Sequence, residues 1–140
     1  MTPAWPRGMP VVGQVARRSR TVTAADIEAF TAISGDRNPI HYDEAVARAT
    51  RFGEIVVQGG VTSAILNAVV AEELPGPGTV FLEVRWQFLA PVRPGDTITG
   101  EVTVTAVRAD KPVTQLATRV IRDDGTVVLD GTAACYTIAW

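Results

Sequence analysis

VTSAILNAVVAEEL, residues 61–74, is the stretch whose reading decides the fold. Its large apolar residues, Val61, Ile65, Leu66, Val69, Val70 and Leu74, fall on almost every side of a helical wheel. A helix that is apolar nearly all round belongs inside a protein, unless it is long enough to span a membrane. Spanning requires roughly 18 or more apolar residues, and this segment falls short of that. Pro75-Gly76-Pro77-Gly78 then stops the helix. Beyond it the pattern changes to period two: Val80, Leu82, Val84, Trp86 and Phe88 alternate with Phe81, Glu83, Arg85, Gln87 and Leu89. PVRPGD (91–96) is a turn, 97–107 a second long strand rich in β-branched residues, and Asp110-Lys111-Pro112 turns the chain into a third strand over 113–122. Asp123-Asp124-Gly125 turns it again into a fourth over 126–138. One buried helix followed by long antiparallel strands describes an α+β domain, most simply with the sheet curled round the helix.

Upstream of that helix the elements are shorter. Residues 1–10 read as coil, and VVGQVARRSRT (11–21) as a first strand. Thr23-Ala-Ala-Asp26 resembles a capping box. The helix it opens carries Ile27, Phe30 and Ile33 at i+3 steps, and Gly35 closes it. Asp43 is positioned to cap a short second helix, EAVARAT. With 140 residues, 46% of them hydrophobic, the whole chain is expected to be one domain with a core that needs no staples.

Composition removes several function classes. A net charge of −2 argues against a nucleic-acid or anionic-membrane surface. Cys135 is the single cysteine and sits in a period-two apolar stretch, which favours a buried inert thiol over a nucleophile. One Cys and one His make a zinc site improbable, so no metal is expected. The N-terminus, MTPAWPRGMP, has three prolines and no apolar run, unlike a signal peptide, and the expected location is the cytoplasm.

The chemistry-bearing residues cluster just before the buried helix. Asp36 and His41, the only histidine, lie five positions apart with Asn38-Pro39 between them. Asn-Pro disfavours helix at Asn38, so the two sit on a stiffened loop that can aim a carboxylate and an imidazole at one small object such as water. The competing reading is structural: Asp36 closes an Asx-turn on its own backbone and His41 is packed. Gln58-Gly59-Gly60 then leads into the helix, whose first N–H groups lack intrahelical partners.

GDRNPIHYD (35–43) followed by VVQGGVTSAIL (56–66) resembles the MaoC-like, R-specific enoyl-CoA hydratases of the hot-dog fold. The similarity continues through LPGPGTVFLEVRWQFLAPVRPGDTITGEVTV (74–104) and DKPV (110–113). The resemblance implies a single hot-dog domain over 1–140, a long antiparallel β-sheet wrapped around a central buried helix. It implies Asp36 and His41 as the catalytic pair, Asn38 as a holder of the loop, the Gly59 N–H as donor to the thioester oxygen, and Ser63 as a pocket residue. The family carries histidine where this chain has Gln58, which keeps a hydrogen bond but no positive charge. The implied reaction adds water to a trans-2-enoyl thioester of coenzyme A or acyl carrier protein. It uses no cofactor, coenzyme A entering only as part of the substrate, in a homodimer or an assembly of dimers. The alternatives are a hot-dog acyl-CoA thioesterase and a non-catalytic hot-dog subunit of a heteromer.

Overall fold

Five strands, β1 (Val15–Thr21), β2 (Thr79–Phe88), β3 (Thr97–Val107), β4 (Val113–Arg122) and β5 (Val127–Thr137), form one antiparallel sheet in the spatial order β1-β3-β4-β5-β2. The structure, a computed structural model, describes residues 5–140; of the coil expected over 1–10, residues 1–4 lie outside that range. Helix α1 (Ala24–Ser34), α2 (Glu44–Ala49) and α3 (Gly59–Glu72) precede β2. The all-round apolar helix is α3, and it packs against β1, β2, β3 and β4. Leu66 and Val69 are completely buried, and so are Val102 of β3 and Val120 of β4 across from them in the same core. Truncating a side chain such as Leu66 to alanine costs about 2–5 kcal/mol in comparable cores. Gly100 lets the helix approach the sheet this closely, because a Cβ there would stand 2.8 Å from Ile65 Cγ2.

Three expectations need correction. The first strand starts at Val15, not residue 11, because the chain turns at Val12-Gly13, where Gly13 has φ 95°. Ile33 is 83% exposed, since six residues carry it about a third of a turn away from Ile27; the buried stripe of α1 is instead Ile27 and Thr31, with Phe30 beside them. The alternation in β2 does not run through the strand. Phe81 pairs with Cys135 and Val84 with Ala133, so a bulge at Leu82 puts residues three apart on one face. Phe81 and Trp86 meet edge to face there, with centroids 5.8 Å apart. In one chain Val80, Leu82, Val84 and Phe88 remain 41–59% exposed on this edge strand.

On the sheet's other face the register places Arg17, Glu101 and Arg119 side by side on β1, β3 and β4. Glu101 accepts from Arg17 Nε at 2.6 Å and from Arg119 Nε at 2.8 Å. The Arg119 hydrogen bond, opposed by burial and helped by Arg17, holds the Glu101 carboxyl below its ordinary value of 4.5. A depressed folded pKa contributes stability above the unfolded value, and that contribution is lost as pH falls through the folded one. Glu101→Gln is therefore expected to cost about 1 kcal/mol near neutral pH, a modest figure because both arginines are solvated. Thermal melts of the two proteins are expected to converge as the pH drops below 4.5; a gap independent of pH would contradict this.

Candidate active site

The loop before α3 is built from local hydrogen bonds. Gly35 ends α1 in the left-handed region at φ 76°, a conformation that favours glycine, and its N–H donates to Thr31 O. The Asp36 N–H donates to Ser34 Oγ at 3.0 Å, and Asp36 O accepts from Thr31 Oγ1 at 2.8 Å. Asp36 Oδ1 accepts from Asn38 N at 3.1 Å. The Asx-turn is therefore real, but it occupies only one carboxylate oxygen. Asn38 in turn caps a 3₁₀ turn, Pro39–His41, accepting from Ile40 N through its side chain. Pro39 stands at the first position of that turn, where a missing N–H costs nothing.

That turn delivers His41 into the protein, 7% exposed. Its Nδ1 lies 2.6 Å from Val56 O. A carbonyl only accepts, so Nδ1 carries the proton, and in the neutral imidazole Nε2 is a free acceptor. Nε2 faces Asp36 Oδ2 at 3.7 Å. This is too long for a direct hydrogen bond. It is a separation across which one water can bind both atoms. Each group thus keeps a lone pair for a shared third party.

The first turn of α3 lies alongside. Gln58 is its N-cap in extended conformation, φ −62° and ψ 146°. The N–H groups of Gly59 and Gly60 donate to no acceptor among the described residues. Gly59 is open to solvent, and a Cβ on it would meet Phe88 Cε1 at 3.0 Å. Gly60 is covered by the Phe30 ring, which a Cβ would meet at 2.0 Å. This is why α1 can cross so near the start of α3. A cavity of about 740 Å³ is lined by His41, Gly59, Thr62, Val57 and Phe88, with Arg51, Arg93 and Arg122 on its wall. A second cavity, about 660 Å³, also reaches His41, together with Ile27, Tyr42 and Arg93.

Of the six residues expected at the site, His41 and Gly59 line one cavity, Asp36 faces His41 from the loop without lining that cavity, and Asn38 holds the loop. Ser63 is off the cavity wall and donates to Gly60 O at 3.3 Å. Gln58 is 1% exposed and turned away: its Nε2 donates to Ile27 O and to Thr31 Oγ1, each at 3.1 Å. Cys135 is fully buried and burial pushes its thiol up to about 12, as suits an inert core residue. Sequence reasoning missed Thr31 and Arg51. Thr31 near the end of α1 resembles any surface threonine, and Arg51 carries no local motif; only the folded loop brings them to the site.

One helix seated on an antiparallel sheet defines a hot-dog domain, and here an Asp–His pair stands on the loop that precedes the helix. The chain belongs to the MaoC-like family: the model of the MaoC like domain matches residues 10–125. It is 40% identical over 122 residues to the (R)-specific enoyl-CoA hydratase of Aeromonas caviae, covering 87% of this chain and 91% of the relative. It is 37% identical to the 3-hydroxybutyryl-CoA dehydratase of Methylorubrum extorquens over 87% of this chain and 77% of that one. Among solved structures, the A. caviae (R)-hydratase involved in PHA biosynthesis superposes with a TM-score of 0.87 at 38% identity, covering 92% of this chain and 98% of the other.

Proposed function

We propose that this chain is an (R)-specific enoyl-CoA hydratase, adding water across the 2,3 double bond of a trans-2-enoyl thioester and removing it in reverse. The observation that carries the reading is the orientation of His41. Its Nδ1 proton is committed to Val56 O, which leaves Nε2 facing Asp36 Oδ2 across 3.7 Å on the wall of the cavity that Gly59 also lines. A water between the two groups gives one proton to Nε2 while Asp36 orients it through the other. Its oxygen attacks C3, and charge moves to the thioester oxygen. The free N–H at Gly59 and the helix dipole behind it meet that charge. The imidazolium then returns the proton to C2, so oxygen and proton reach the same face of the double bond. A general acid–base step of this kind supplies roughly 10²–10⁴ in rate. The sequence of steps needs no metal and no redox group; coenzyme A enters only as part of the substrate. Arg51 on the cavity wall favours a phosphate-bearing carrier, while its neighbours Arg93 and Arg122 are already paired with Glu54 and Asp124. Pure protein with a trans-2-enoyl-CoA is expected to remove the conjugated-thioester absorbance without thiol release and to yield the R alcohol. Free thiol would make it a thioesterase, and the S product would overturn the stereochemical assignment.

The working form we assign is a homodimer joined through β2. This edge strand leaves its backbone ladder open on one side and its apolar side chains exposed, a surface that a second copy covers. Phe88 of β2 also lines the cavity, so the acyl end of the site would lie beside the partner. Light scattering is expected to give twice 14.9 kDa; a monomer at micromolar concentration would contradict it. No helix among the described residues is long and apolar enough to cross a membrane. We place the enzyme with its acyl-CoA substrate in the cytoplasm.

A further inference from the structure

Thr31 sits in the last turn of α1, 4% exposed, and its hydroxyl has three polar neighbours. Asp36 O is 2.8 Å away, Gln58 Nε2 is 3.1 Å away, and the Tyr42 hydroxyl completes the set. A hydroxyl has one proton and two lone pairs. The Asp36 carbonyl can only accept, so the Thr31 proton goes there. The Gln58 amide nitrogen can only donate, so it takes one lone pair, and Tyr42 must donate to the other. Every direction in the cluster is thereby fixed. The Gln58 amide cannot flip without turning its oxygen onto Ile27 O, an acceptor that Nε2 now satisfies at 3.1 Å. Gln58 Oε1 is left buried without a partner, a cost the fold bears at this position.

We propose that Thr31, with its proton directed by Gln58, is the positioning residue for Asp36: it pins the Asp36 backbone from helix α1 and so sets the carboxylate's distance from His41. This rests on the hydratase reading and goes beyond it. It assigns work to a residue that touches neither water nor substrate. It also gives Gln58 a function in the reaction, since an amide that does not titrate keeps the Thr31 proton aimed at Asp36 at every working pH. Asp36 Oδ2 has no hydrogen bond of its own among the described residues, so its placement depends on the Asn38 N–H that holds Oδ1 and on the backbone that Thr31 holds beneath it.

The test is steady-state kinetics of Thr31→Val, Thr31→Ser and Thr31→Val in an Asp36→Asn background, each checked for folding by circular dichroism. Valine keeps the shape and loses the hydroxyl. Misplacement of a reacting group by about 1 Å costs up to about 100-fold, so Thr31→Val is expected to lower kcat by about 10- to 100-fold with KM within about twofold. Thr31→Ser is expected to recover kcat to within about threefold of wild type. In the Asp36→Asn background Thr31→Val is expected to cost about twofold or less, because the group it positions is already gone. Equal losses in Val and Ser, wild-type kcat in Val, or a full loss repeated on Asp36→Asn would each overturn the assignment. If Thr31→Val does not fold, Thr31→Ala read against Thr31→Ser makes the same comparison. A wild-type protein that hydrates no enoyl thioester would instead sink the functional reading, and the parallel wild-type assay separates the two failures.

Discussion

His41→Gln is expected to lose about 10²–10⁴ in kcat with KM little changed. Glutamine is close in size and can still donate to Val56 O, the bond that Nδ1 makes at 2.6 Å. It therefore preserves the anchoring half of the imidazole's work. It cannot preserve the other half, because a side-chain amide neither accepts a proton from water nor carries one to carbon. Because the interaction is made mainly as the proton moves, the loss belongs in kcat and not in substrate binding. No second histidine exists in the chain to take over. Enoyl-CoA kinetics at saturating and limiting substrate separate the two parameters. A variant that kept kcat within tenfold of wild type would mean that Asp36 alone activates the water.

Gly59→Pro is expected to reduce kcat by about 10²–10³-fold, the usual cost of deleting one oxyanion donor, in a protein that still folds. Proline suits the first position of a helix, since the N–H it lacks has no intrahelical acceptor. The residue before a proline must be extended, and Gln58 already is, with ψ 146°. The ring does add carbon close to Phe88, whose Cε1 lies 3.0 Å from the Cβ position. Gly59→Ala carries that same Cβ and keeps the N–H, so it isolates the donor. Alanine is expected to retain most of the activity, with Phe88 yielding by a few tenths of an ångström. Equal losses in the alanine and proline variants would assign the effect to Phe88 and to cavity shape, and would move the oxyanion donor elsewhere.

How far the chain could be read before its structure was known depends on the range of the interactions involved. The buried helix, β3 and β4 were legible because local periodicity and turn residues set them; β3 and β4 coincide with the strands expected over 97–107 and 113–122. The bulge at Leu82 was not, since its cause is the register between β2 and β5 and not the composition of β2. Ile33 misled because an i+3 step repeated twice drifts off the helical face. At the site, Asp36, Asn38 and His41 were legible as a loop motif because bonds within five positions shape the loop, although the anchor of the His41 ring, Val56 O, lies 15 positions away. Gln58 was expected at the substrate and lies against α1, because its direction is set by Ile27 and Thr31, 31 and 27 positions away in the chain. Residues that act through contacts with other elements have no local signature.

The central claim is that Asp36 and His41 work as one unit on one water held across their 3.7 Å gap. The kcat of the Asp36→Asn, His41→Gln double variant, compared with the two single variants, tests it most directly. His41→Gln removes the proton acceptor and Asp36→Asn removes the charge that orients the water and steadies the imidazolium, so each is expected to lose most of the acid–base contribution. Groups that act together are strongly non-additive. The double variant is therefore expected to fall within about threefold of the slower single variant. A double loss equal to the product of the two single losses would contradict the shared-water geometry and make the two side chains independent contributors.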